Sequence, residues 1–228
     1  MTAIIFDTET TGINEPAIVE AAWIKLNDPY TLAVMDSFVQ RYNPGKAIEL
    51  GALATHHILD EDLVDCPPAS EFSLPAGTEY LIGHNVDYDW KVIGEPPVKR
   101  ICTLALCRHL WPEVDSHSQS AMIYLFERNA AKGLLSNAHS AADDVRNCRV
   151  VLDYALSKLG SVTDATTWEE VWLASEKARI PTVMTFGKHK GMAIKDVPSD
   201  YKAWLMRQPD IDPYLIQALR GVATHNPI

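Results

Sequence analysis

The sequence predicts an α/β fold, a mixed β-sheet with flanking helices over residues 1–160, followed by a small, mainly helical module over 161–228. Three observations lead there. Residues 2–42 read as three consecutive strands separated by turn chemistry, and from residue 79 onward short strands alternate with helices, the pattern of a layered α/β domain. Beyond Gly160 that alternation gives way to helices around one strand–turn stretch.

Residues 2–6 are a short apolar run rich in β-branched side chains. The run ends in Asp7-Thr8-Glu9-Thr10-Thr11-Gly12, where threonines and a glycine mark a strand giving way to a turn. Residues 17–26 and 32–42 read as two further strands, and Asn27-Asp28-Pro29-Tyr30 between them is turn chemistry, so an antiparallel meander is expected. Short helices follow over 49–65, carrying His56 and His57, before Pro67, Pro68 and Pro75 mark a loop. A brief strand over 79–83 runs into His84-Asn85 and a helix near 86–93, which Glu95-Pro96-Pro97 stops. Residues 98–102 supply the next strand, ahead of helices near 103–110 and 118–131. The last element of the domain has the clearest signals. Ser140 fits an N-cap, Asp143 and Asp144 fall in the first turn where the helix dipole favours anions, and Gly160 ends the helix. Val145, Cys148, Leu152, Ala155 and Leu159 recur at helical spacing, as on a face packed against a core. A helix near 167–178, a strand–turn stretch over 183–191 and helices near 200–207 and 212–220 complete the chain and put the boundary near 161.

At 228 residues the chain has the length of about one and a half domains, taking roughly 150 residues for each. Apolar residues at 47% and charged residues at 22% exclude disordered and fibrous classes. No apolar run approaches the roughly 18 residues of a membrane span, and Asp7 and Glu9 interrupt the place of a signal peptide, so a soluble cytoplasmic protein is expected. The net charge of -10 argues against holding nucleic acid by broad phosphate neutralisation, though bound metal ions let an acidic protein grip phosphates. The excess negative charge lies within residues 1–160, since 161–228 carry 8 basic and 8 acidic side chains. Cys66, Cys102, Cys107 and Cys148 form no zinc-like spacing and read as reduced, mostly buried thiols.

Asp7 and Glu9, two apart on a strand, project from one face at the exit of a buried strand. A lone D-x-E is usually an exposed turn, but two adjacent acids in a buried setting repel unless a cation lies between them. Asp89 falls where a strand passes into a helix. Helical steps from Asp144 reach Cys148, Val151 and Ala155, so Asp144 lies on the apolar face and needs a compensating charge, whereas Asp143 points elsewhere and suits capping. Four carboxylates suit Mg²⁺ or Mn²⁺ and not zinc. Two such ions roughly 4 Å apart would clamp an in-line displacement at phosphorus, one activating water and the other stabilising the leaving oxygen. His139, five residues before Asp144, suits removal of the water's proton near neutral pH.

Phe6-Asp7-Thr8-Glu9-Thr10-Thr11-Gly12, His84-Asn85-x-x-x-Asp89 and His139-x-Ala141-x-x-Asp144, in this order, resemble the three motifs of the DEDDh 3'-5' exonucleases. The resemblance covers residues 1 to about 160. It implies a ribonuclease H-like fold and metal-dependent hydrolysis from a free 3' hydroxyl that releases nucleoside 5'-monophosphates. By position it makes Asp7, Glu9, Asp89 and Asp144 the ligands of two Mg²⁺ or Mn²⁺ ions and His139 the general base. Thr10, Thr11, Gly12 and Ile13 match the segment that lies against the terminal nucleotide, His56 matches a histidine beside the substrate, and His84 and Asn85 support the second motif without being ligands. Val86, Tyr88 and Ser140 depart from the usual Ala, Phe and often Arg; the Ser140 change bears on a phosphate contact.

Thr185-Phe186-Gly187-Lys188-His189-Lys190-Gly191, with Asp196-Val197-Pro198 and Tyr201-x-x-Trp204-Leu205, resembles a C-terminal module of the exonuclease X branch of that family, as do Ile101-Cys102-Thr103 and Arg108-His109-Leu110-Trp111-Pro112. Lys188 and Lys190 beside Phe186 suit phosphate and base contacts; equally, the turn could be a solvated basic loop with Phe186, Tyr201 and Trp204 as a small core. The expectation is therefore an exodeoxyribonuclease of DNA repair or degradation, acting on single-stranded DNA or DNA 3' ends. RNA is a further candidate substrate. A polymerase proofreading subunit and an RNA-trimming enzyme are the alternatives within the class, and an inactive nucleic-acid-binding module is the alternative outside it.

Overall fold

A computed structural model of the chain describes residues 2–136, 138–160, 167–209 and 211–221. β1 (Thr2–Thr10) is apolar through Phe6 because it lies at the centre of a five-stranded sheet of order β3-β2-β1-β4-β5. β2 (Ile18–Leu26) and β3 (Val34–Arg41) extend it antiparallel on one side. The turn between them is fixed by Asp28 Oδ1, which accepts the Tyr30 and Thr31 N–H groups at 2.9 and 2.8 Å. On the other side β4 (Thr78–Gly83) and β5 (Lys99–Cys102) run parallel to β1, so the meander of the first three strands lies within a mixed sheet, both as expected.

Successive residues of β1 feed opposite layers. Ala3 and Ile5 pack with Val145, Cys148, Leu152 and Ala155 of α6 (Ala141–Gly160), whereas Ile4 and Phe6 face Tyr42, Leu81 and Val86 across the sheet. α6 therefore shows the sheet the face its spacing foretells. Its second flank meets α3 (Thr103–Leu110), α4 (Gln119–Phe126) and α5 (Ala131–Leu134) through Cys107, Met122, Ile123, Ala131 and Val151. Cys102, Cys107 and Cys148 are buried free thiols, and Cys66 is half-buried and free.

Several elements differ in extent from the sequence expectation. The helical stretch over 49–65 is broken: α1 (Leu50–His56) closes where His57 adopts φ 58°, and a 3-10 turn, Asp60–Leu63, follows. The helix expected over 118–131 divides into α4 and α5. Residues 183–191 form no strand; a single bridge joins Val183 to Ala193. The boundary expected near 161 falls within 161–166, outside the described residues.

α2 (Asp87–Val92) follows β4, and α7 (Trp168–Ala178) starts from a capping box of Thr167 and Glu170. Trp168 and Val171 of α7 enter the core beneath the sheet. Farther on, α8 (Ser199–Leu205) and α9 (Pro213–Leu219) enclose a separate small core of Met184, Ile194, Val197, Leu205, Leu215 and Leu219. Tyr214 Oη of α9 donates to both carboxylate oxygens of Glu176 at 3.0 Å, and Arg179, just after α7, pairs with Asp87, so the end of α7 is tied to α9 and to α2. Among the described residues no helix is long and apolar enough to cross a membrane.

Candidate active site

The carboxyl ends of β1 and β4 meet the first turn of α6, and there the acidic residues gather. Asp7 and Glu9 leave the same face of β1. Asp89 is buried in the first turn of α2, tied to β1 by Thr8, whose N–H and hydroxyl donate to Asp89 Oδ1 at 2.9 and 2.6 Å. Asp144 stands in the first turn of α6 with Gln119 Nε2 donating to Oδ1 and the His139 N–H donating to Oδ2, both at 3.2 Å. One ligand atom from each of Glu9, His139 and Asp144 lies within 4.8 Å of the others. His139 is exposed and takes φ 68°, a conformation in which its backbone N–H reaches Asp144 while its ring stays open.

These acids raise one another's affinity for protons. Burial, then Asp144, Glu20 and Asp89, pushes Glu9 up to about 8. Burial followed by Asp89, Asp144 and Glu9 holds Asp7 well above the carboxylate range. Asp89 and Asp144 are raised by burial too, in part offset for Asp89 by the Thr8 bonds and for Asp144 by His139. Among the described residues no lysine or arginine pairs with any of the four. Buried carboxylates without a counter-charge either hold protons or hold a cation, and an oxygen-rich donor set fits a hard divalent ion.

A supporting layer fixes the acids. Glu20 on β2 is buried; its Oε2 accepts the Ala141 N–H at 2.9 Å and the Ser140 hydroxyl at 3.4 Å, and Arg41 Nε reaches Oε1 at 3.3 Å. The cap of α6 is thus a carboxylate borrowed from the sheet. The Ser140 side chain, which the sequence suggested as the cap, hydrogen-bonds that carboxylate instead. His84 is held neutral, pushed down to about 4 chiefly by burial. Its Nε2 lies 2.8 Å from the His117 carbonyl and so carries the proton, and Nδ1 lies 3.0 Å from Thr103 Oγ1. His84 thereby anchors the loop that delivers Gln119 to Asp144.

Thr10, Thr11, Gly12 and Ile13 continue from Glu9. Thr10 Oγ1 is 2.6 Å from Tyr88 Oη, which donates to the Gly12 carbonyl at 3.1 Å. The Thr11 hydroxyl accepts the Ala17 N–H at 3.1 Å. Gly12 sits at φ 150°, where a Cβ would fall 2.2 Å from Glu49 Cδ. Ile13 is 83% exposed at the rim. His56 is buried with both nitrogens engaged: Nδ1 accepts the Ile58 N–H at 3.0 Å, and Nε2 lies 3.2 Å from the Thr10 carbonyl. Asn85 precedes α2 at φ 74°. Lys188 and Lys190 lie apart, exposed on the C-terminal module, with no hydrogen bond or ion pair to the carboxylates among the described residues.

Sequence reasoning missed Glu20, Gln119 and the clamp made by Thr8. Glu20 carried a signal, as the one acid in the otherwise apolar 18–24 stretch of β2. Gln119 carried none.

No family model matches the chain. It is homologous to exodeoxyribonuclease 10 of Escherichia coli (strain K12), with 29% identity over 211 residues covering 90% of this chain and 91% of that protein. A PolC-type DNA polymerase III of Bacillus cereus is 28% identical over 138 residues, 53% of this chain and 9% of the polymerase. Among solved structures, Exonuclease X in complex with 5' overhanging duplex DNA superposes with a TM-score of 0.56 at 24% identity, covering 74% of this chain and 99% of that one. E. coli Exonuclease I in complex with a dT13 oligonucleotide gives a TM-score of 0.56 at 19% identity, over 72% and 42% of the two chains. The fold is ribonuclease H-like, as the motif resemblance implied.

Proposed function

We propose that the chain is a metal-dependent 3'-5' exodeoxyribonuclease of the DEDDh type, releasing nucleoside 5'-monophosphates from single-stranded DNA or DNA 3' ends. The observation that carries the reading is the meeting of Glu9, His139 and Asp144 within 4.8 Å, with Asp7 and Asp89 buried near enough to raise the proton affinity of the cluster and no lysine or arginine paired with these acids among the described residues. The homology to exodeoxyribonuclease 10 supports it and, at 90% coverage, reaches into the C-terminal module, which the match to the PolC-type polymerase at 53% does not require. Four free cysteines agree with a cytoplasmic setting.

In this reading Asp7, Glu9, Asp89 and Asp144 hold two Mg²⁺ or Mn²⁺ ions. When bound, the ions supply an activated water and stabilise charge on the leaving 3' oxygen. His139 accepts the proton of the attacking water on its exposed ring, while its main-chain bond to Asp144 keeps that ring at the cluster. Thr8 holds Asp89 and Gln119 holds Asp144, so these carboxylates need not reorganise during the reaction. Thr10, Thr11, Gly12 and Ile13 receive the terminal nucleotide, with Ile13 offering an apolar surface to its base. His56 acts at one remove by fixing the Thr10 carbonyl.

The test is digestion of 5'-labelled DNA and RNA oligonucleotides of one sequence, with Mg²⁺ or with EDTA, and with free or blocked 3' ends. The expected result is metal-dependent shortening of DNA with a free 3' end, faster than of RNA. Shortening of a 3'-blocked strand would overturn the polarity, and preference for RNA would overturn the substrate.

A further inference from the structure

The core of the C-terminal module is aliphatic, apart from Met184, and holds neither Phe186 nor Trp204. Tyr201 packs against that core, but Phe186 and Trp204 do not help to hold it together. Trp204 remains 47% exposed and Phe186 43%, and an exposed ring beside a second aromatic offers a face on which a planar ligand can stack. Tyr201 stands beside Trp204: its ring lies 5.3 Å from that of Trp204 and meets the His189 ring nearly at right angles at 4.5 Å. Gly187 takes φ 72°, a backbone that favours glycine, and a Cβ there would fall 2.7 Å from Tyr201 Oη, so glycine suits the turn as it closes onto Tyr201. The closure sets Lys188 and His189, with Asp200, Tyr201 and Trp204, around a slot of about 270 Å³. Lys188 and Lys190 are exposed and form no ion pair among the described residues. In a chain of net charge -10, residues 181–228 carry 6 basic and 4 acidic side chains.

We propose that this slot is a second nucleic-acid site, in which an unpaired base of the substrate strand stacks on Trp204 and Tyr201 while Lys188 and Lys190 contact neighbouring phosphates. Stacking on aromatic faces tolerates any base, and lysines beside the rings supply the complementary charge, the chemistry of sequence-independent single-strand binding. A cavity of about 540 Å³ is lined by Asn85, four residues before Asp89, by Arg108 and His117, and by Thr185, which precedes Phe186. Its charged lining is balanced, Arg108 and Arg179 against Asp87 and Asp212, and the cleft borders both the segment that carries Asp89 and the module, a route for a strand whose 3' end lies at the carboxylates. The inference rests on the nuclease reading for the strand's direction, but binding can be measured without catalysis.

The experiment is fluorescence anisotropy of a long 5'-labelled oligothymidylate with the full chain in EDTA, paired with Mg²⁺-dependent hydrolysis of a thymidine dinucleotide too short to reach the module. Trp204→Ala is expected to weaken the long strand by roughly 5- to 100-fold and to leave dinucleotide hydrolysis unchanged, with affinity restored by Trp204→Phe. Lys188→Ala combined with Lys190→Ala should flatten the log–log salt dependence by about 1.4. Unchanged affinity and salt slope in the lysine variant, whose exposed side chains bear no part of the core, would overturn the proposal, and so would unchanged affinity in a folded Trp204→Ala. Tight binding of the long strand with no hydrolysis of any oligonucleotide would instead overturn the nuclease reading and leave the second site standing.

Discussion

Each acid of the cluster costs the metal-free protein stability, because Asp7, Glu9, Asp89 and Asp144 all ionise less readily in the fold than in open solvent. Asp7→Ala or Asp144→Ala should therefore abolish Mg²⁺-dependent hydrolysis and at the same time raise the Tm of the protein in EDTA, a pairing that a merely structural carboxylate would not give. Glu9 sets the pH window. Its ordinary value of 4.5 is raised to about 8, so between those values the folded chain keeps a proton the unfolded chain has lost. Stability then falls as pH rises through that interval. Differential scanning calorimetry in EDTA should show a higher Tm at the acidic end of the interval than at the alkaline end, with Mg²⁺ narrowing the gap; a Tm that climbs with pH in EDTA would contradict the assignment. His139→Ala should slow turnover by roughly 10² to 10⁴ without altering the fold, read from steady-state kinetics and circular dichroism.

At the scale of elements, α6 is both the structural keel of the sheet and the carrier of Asp144. Glu20 joins its first turn to β2, so the position of Asp144 depends on a strand that contributes no candidate ligand. Glu20→Ala leaves the first N–H of α6 without that carboxylate and should cost about 1 to 3 kcal/mol, seen as a lower denaturant midpoint, along with a reduced kcat. Much at this scale was legible in the residues. Helical spacing alone set Asp144 on the inward face, and turn chemistry alone defined the β2–β3 hairpin, because both are local signals. The origin of the α6 cap was not legible, since Ser140 has the right chemistry and loses the place only because a carboxylate 120 positions earlier folds beside it. The break at His57 was hidden for a similar reason: nothing in its side chain announces a left-handed backbone.

Over the whole molecule the charge is divided by task. The excess acids lie within residues 1–160, the part that holds the carboxylate cluster, while residues 161–228 are charge-balanced and show Phe186 and Trp204 to solvent. Composition displayed the charge imbalance, but that Tyr201 joins the module's core while Phe186 and Trp204 stay outside it could be decided only once Met184, Ile194, Val197, Leu205, Leu215 and Leu219 were seen to fill that place. The change in pattern after Gly160 suggests a natural cutting point, yet Trp168 and Val171 lie under the sheet with Val145 and Cys148. A fragment ending at residue 160 should therefore express poorly or bind hydrophobic dyes, whereas one ending after Ile180 keeps the apolar seal intact, a contrast that parallel expression and dye-binding trials would reveal. The helix that looks like the beginning of the appendage is in effect the keystone of the catalytic body, and any shuffling of such modules between nucleases would have to carry it along.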